Sequence, residues 1–198
     1  MKTERLKRFA PCSDAREWMK GQKNATEAWQ NCERGDWMLW IAKRLNVDDR
    51  KFTMAKAMCA KQVEHLMKDQ RSKDVLQACI DYFNGLITRE QLNAAADAAY
   101  AAYAAYADAA DAAAAYAADA AAYAADADAA ADAAYAAAYA ADAAAYADAY
   151  ADDAYAAYAA YAAYADAAAA RTNSLKRSAD ICREYLTEEV MAKYRRLR

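Results

Sequence analysis

Glycine and proline are nearly missing, at 3 and 1 in 198 residues. With so few turn-makers, a fold of many short strands and tight hairpins is excluded, and the expectation is all-α. There is one histidine, His65, so a metal cluster built on histidines, or a Ser-His-Asp set with a defined partner, has no support. The five cysteines, Cys12, Cys32, Cys59, Cys79 and Cys182, contain no Cys-x-x-Cys pair. An odd, scattered set supports neither zinc nor a disulfide framework, and each reads as a small buried hydrophobe in a reducing compartment. No phosphate-cradling glycine loop occurs, and no enzyme activity, metal or cofactor is expected. Met1 to Arg8 is basic with no apolar run behind it, which argues against a secretory leader and for a cytoplasmic protein.

Base is also missing from the middle of the chain, and this absence organises the rest. Residues 94 to 170 are 52 Ala, 13 Tyr and 12 Asp, with nothing else. Alanine is the best helix former because it loses no side-chain freedom and buries no polar group. As one straight helix the segment would run about 115 Å. At about 100° per residue, Asp97, Asp108, Asp111, Asp119 and Asp126 fall on one stripe about 80° wide. Asp128, Asp132, Tyr135, Tyr139, Asp142, Tyr146, Tyr150 and Asp153 share a roughly opposite face. Tyr155, Tyr158, Tyr161 and Tyr164 then precess around the axis. The phase slips at Asp126-Ala127-Asp128 and Asp152-Asp153 suggest fold-back points, with a further one near Asp108 to Asp111, since Asp is a favoured N-cap. The expected architecture is a helical bundle or short α-solenoid in which the tract forms two or more long antiparallel helices. A single rod is the alternative. Asp recurs through the tract too often for a bilayer span.

The remaining residues carry the large side chains. Residues 1–10 read as a flexible basic leader, 11–187 as one helical domain, and 188–198 as a basic C-terminal helix or tail. Within the domain, 11–92 is Trp-rich, 93–170 is the Ala/Asp/Tyr part and 171–187 closes it. Ser13 is expected to cap a helix to Lys20, and Asn24 or Thr26 the next one to Cys32. Gly35 is expected to turn the chain and Asp36 to cap the following helix. Asp48 or Asp49 opens a helix to about Lys68. Lys73 to Asn84 is helical, Thr88 to Gln91 reads as a capping box, and Thr187 as the cap of a last helix. Trp18, Trp29, Trp37 and Trp40 are the expected core anchors.

Three strings are distinctive: Pro11-Cys12; Ala28-Trp29-Gln30-Asn31-Cys32-Glu33-Arg34-Gly35-Asp36-Trp37-Met38-Leu39-Trp40; and Ala179-Asp180-Ile181-Cys182-Arg183. With an Ala/Tyr/Asp tract between them, they resemble a bacterial and phage family of immunity proteins of the Imm-five-like kind, over about residues 11 to 187. The resemblance implies a toxin neutraliser and carries over no catalytic or ligand-binding residue.

Charge is segregated. The net −3 is the balance of +5 over residues 1–93, −12 over the tract and +4 over residues 171–198. Either the basic ends cover the tract or its acidic face stays open to a basic partner, since a surface of one sign steers association. The open face gives the function expected here: a non-enzymatic inhibitor binding a basic toxin, nuclease or defence effector. Its candidate partner-binding residues are Asp97, Asp108, Asp111, Asp119 and Asp126 with Tyr100, Tyr103, Tyr116 and Tyr123. The alternatives are a structural scaffold, or a binder of a small nucleotide-type ligand between Tyr rings. Neither a membrane nor direct nucleic-acid binding is expected of so acidic a surface.

Overall fold

A computed structural model describes residues 3–107 and 156–197, and the described residues are all-α, with seven α-helices and no strand. Helix α1 spans Ser13–Lys20, α2 Ala25–Asn31, α3 Gly35–Arg44, α4 Asp49–Lys61, α5 Gln70–Phe83, α6 Arg89–Ala107 and α7 Ala156–Arg196. Short 3₁₀ turns occupy Thr3–Phe9 and Glu64–Leu66. The expected turns of the tract at 126–128 and 152–153, and near 108–111, lie outside the described residues.

Local chemistry sets most of the helix starts. The Asn24 side chain accepts from the amides of Thr26 and Glu27 at 3.0 Å, and Asp48 and Asp69 accept from those of Lys51 and Arg71 at 3.0 and 2.9 Å. Each satisfies amides that the first helical turn leaves without a partner. Thr88 and Gln91 form the reciprocal box: the Thr88 amide donates to Gln91 Oε1 at 2.9 Å, and the Gln91 amide to Thr88 Oγ1 at 3.3 Å. Gly85, at φ 77°, takes the left-handed conformation that closes α5.

Four expectations are corrected. Ser13 is the first residue of α1, not its cap; its hydroxyl donates to Asp14. Gly35 and Asp36 are both helical, and no side chain caps α3; Asp36 instead holds the Arg34 guanidinium at 2.8 and 2.5 Å. Helix α4 stops at Lys61, short of Lys68, and α5 begins at Gln70, ahead of Lys73. Thr187 caps nothing. Its hydroxyl donates back to the Arg183 carbonyl at 2.6 Å, and α7 runs 41 residues through it.

The core has two parts that share α4. On one side α3 and α4 pack on α7, joined by α2. Leu39, Ala42, Phe52, Cys59, Ala179, Cys182, Leu186 and Val190 are buried there. The closest approach is at Gly35, where a Cβ would collide with Ser178 Cβ and lie 2.7 Å from the Ser178 carbonyl carbon and 2.8 Å from the Ala179 nitrogen. Glycine is required here for proximity, not for a turn. Arg183 pins the same junction, donating to the carbonyls of Gln30 and Cys32 at 3.2 and 2.8 Å at the C-terminal end of α2. Two of the three distinctive strings, residues 28–40 and 179–183, are therefore packed against each other. On the other side α5 packs between α4 and α6, burying Val75, Leu76, Cys79, Leu92, Ala96 and Ala99.

The chain ends are docked onto the first part. Val190, Met191 and Tyr194 are buried in α7, and Arg5 donates to the Leu197 carbonyl at 2.6 Å. The basic residues 3–9 and 193–196 thus meet each other, with the apolar side of α7 supplying the area that holds them.

Candidate functional site

Helix α6 carries the start of the acidic tract. Leu92, Ala96 and Ala99 recur at three- and four-residue spacing and are buried against α5, while Asn93, Ala94, Asp97 and Ala101 on the other side are exposed. Asp97 therefore points away from the core. Tyr100 and Tyr103 also fall on α6, and their side chains lie outside the description. Asp108, Asp111, Tyr116, Asp119, Tyr123 and Asp126 lie outside the described residues altogether.

At the root of α6 sits a polar clamp that the sequence did not reveal. Asp49, from α4, accepts from the Tyr82 hydroxyl at 2.6 Å and from the Arg89 guanidinium, which also donates to Thr53 Oγ1 at 3.3 Å. The guanidiniums of Arg50 and Arg89 lie 4.3 and 4.4 Å from the centre of the Tyr82 ring. Burial by itself would raise the Asp49 carboxyl. Hydrogen bonds from Tyr82 and Arg89 and the cations of Arg89 and Lys56 outweigh it and hold the group below its ordinary value. Lys56 is fully buried, 5.1 Å from the Phe52 ring. These are mutually satisfied groups joining α4, α5 and α6, an arrangement that fixes where α6 leaves the core.

The four tryptophans divide. Trp29 is buried, and its indole N–H donates to Thr187 Oγ1 at 2.8 Å. Trp18, Trp37 and Trp40 are only half-buried. Trp18 and Trp37 meet edge to face, 6.1 Å between centres and 61° between planes. They separate two spaces. Behind them is an apolar cavity of about 80 Å³ that all four tryptophans line. In front is a cleft of about 660 Å³ between the α2–α3 junction and one face of α7, lined by Trp18, Glu33, Arg34, Trp37, Arg171 and Lys176. The α7 wall, Ala168, Arg171, Thr172 and Leu175, follows the helical period, and only the folded arrangement brings it opposite Trp18.

Four of the cysteines are buried and Cys12 is exposed, so the expectation of a buried thiol fails for Cys12. Burial pushes the Cys32 thiol up to about 11 and the Cys79 thiol up to about 12, which removes their nucleophilicity near neutral pH. His65 is exposed in the 3₁₀ turn after α4. Among the described residues no three His, Cys, Asp or Glu side chains are placed to hold a metal ion, and no helix is long and apolar enough to cross a membrane.

Comparison with known proteins returns no match: no family model, no curated protein and no solved structure is similar to this chain.

Proposed function

We propose that the protein is a non-enzymatic inhibitor of the immunity type, whose acidic helical face engages a basic partner protein. The observation that carries this reading is Asp97, exposed on α6 opposite the buried Leu92, Ala96 and Ala99. The first carboxylate of the tract is turned to solvent by the packing of the helix that bears it. Eleven further Asp residues follow without one Lys or Arg before Arg171. The basic ends of the described core are gathered around Leu197 and Arg5, and the polar clamp gives α6 a fixed exit from the core. A rigid support for a negatively charged helix suits a basic toxin, nuclease or defence effector, for which electrostatic steering raises the association rate. In this reading the protein works in the cytoplasm, where five free cysteines stay reduced.

The test is crosslinked affinity capture from native host cells, followed by binding of the purified partner to wild type and to an Asp97→Lys/Asp108→Lys/Asp119→Lys variant. One dominant basic protein is expected. Its affinity should fall at least about tenfold between 0.05 and 0.5 M salt, and again on charge reversal. A partner that binds the reversed variant equally well would sink the reading. So would a folded sample that captures nothing.

A further inference from the structure

The charged lining of the cleft between the Trp18–Trp37 pair and α7 comes from the two basic segments of the sequence, residues 1–93 and 171–198. The lining carries Arg34, Arg171, Lys176 and Glu33, with Arg34 engaged by Asp36 and Lys176 by Glu33. Arg34 is oriented by its two bonds to Asp36 and lies 4.5 Å from the Trp37 ring centre, so its guanidinium is held in place at the aromatic rim. Lys176 pairs with Glu33 at 3.1 Å, and both side chains are substantially exposed, at 45% and 65%. Such a surface pair contributes little, and a ligand carrying more than one negative charge displaces Glu33 readily. Ala168 and Thr172 on the α7 wall are small, which leaves the space open. At about 660 Å³ the cleft falls within the roughly 300–1,000 Å³ of small-molecule sites.

We infer that this cleft binds a small organic anion with a flat aromatic ring, of the nucleoside monophosphate class. The ring packs against the half-buried Trp18 indole and the Arg34 guanidinium that lies over Trp37, contacts that tolerate any base because every base has a π-face. The anionic group lies toward Arg171 and Lys176. Ring and charge are recognised by opposite walls, so neither a neutral nucleoside nor a free phosphate satisfies both. The site is separate from the acidic face of α6 and needs none of its residues.

Titration calorimetry and tryptophan fluorescence on the full chain test it, with AMP, adenosine and inorganic phosphate as probes. AMP is expected to bind at least about tenfold more tightly than either of the others. Arg171→Gln and Lys176→Gln should each weaken AMP by about tenfold, with unchanged circular dichroism. Glu33→Gln, which releases Lys176 from its competitor, should tighten AMP by about threefold, a gain that a purely structural role for Glu33 would not produce. The inference fails if AMP gives no signal up to about 10 mM at low salt, if AMP binds no tighter than phosphate, or if the Arg171→Gln/Lys176→Gln protein binds AMP like wild type. A single-stranded oligonucleotide that binds with AMP having no effect on it would also overturn it, by assigning the cleft to a polymer.

Discussion

The two parts of the core that share α4 are built on different terms. Around α7, large side chains and close contacts surround the helix: Leu39, Phe52, Leu186 and Val190 bury area, Gly35 brings α3 against Ser178 and Ala179, and Arg183 ties down the end of α2. Around α6, the described residues buried against α5 are Leu92 and then alanines, Ala96 and Ala99. Alanine lets axes approach but buries little area per residue, so each turn away from Leu92 gains less. The polar clamp of Asp49, Tyr82 and Arg89 supplies at the root of α6 an orientation that the alanines do not. Among the described residues, a helix held at its root by specific contacts and then by small side chains differs from one that buries large side chains from Leu175 to Tyr194.

The largest expected effect separates the two parts directly. Leu186 and Leu92 are both fully buried, and truncation to alanine costs about 2–5 kcal/mol depending on how far the site can collapse. Leu186→Ala should fall toward the upper end, because α7 is held by both α3 and α4. Leu92→Ala should fall toward the lower end, because α6 can settle onto α5. Urea denaturation of both variants measures this, and equal losses would break the comparison. Gly35→Ala comes next, at about 1–3 kcal/mol or more, because the new methyl meets helix backbone that cannot rotate away. A thermal melt close to wild type would show that α3 can slide on α7.

A smaller effect is expected from the clamp. The Asp49 carboxyl is lowered in the folded protein, so its contribution is present above the ordinary carboxylate value and is lost as pH falls through the folded one. Asp49 is about half exposed, so solvent screening keeps the contribution below about 1 kcal/mol. Asp49→Asn should therefore lower the urea midpoint slightly at neutral pH, and the two midpoints should converge below about pH 4. A difference that persists unchanged at pH 3 would contradict the assigned charge. The smallest expected effect leaves stability untouched. A thiol reagent at pH 8 should modify Cys12 alone in the native protein and all five cysteines after denaturation, as mass spectrometry would show. Rapid native labelling of Cys79 would mean that the α5–α6 part opens far more easily than the α7 part.

What could be read from the residues alone was whatever is decided within a few positions of itself. The helical class follows from the scarcity of Gly and Pro, the caps at Asn24 and Asp48 and the Thr88–Gln91 box from side chains reaching amides two or three residues on, and the charge segregation from simple order. The exposure of Asp97 was not decided by the residues alone: it follows from the burial of Leu92, Ala96 and Ala99 against α5. Two of the errors, at Gly35 and Thr187, share one cause. Gly35 looks like a turn and Thr187 like a cap because local chemistry favours both. Contact with a distant segment overrides it: Ser178 and Ala179 press on Gly35, and the Trp29 indole and the Arg183 carbonyl occupy the Thr187 hydroxyl. The Asp49–Tyr82–Arg89 clamp and the Trp18–Trp37 cleft join residues more than thirty, and more than a hundred, positions apart. No periodicity encodes such pairs, because their partners are chosen by how whole helices pack, a choice made by buried area and steric fit summed over the molecule.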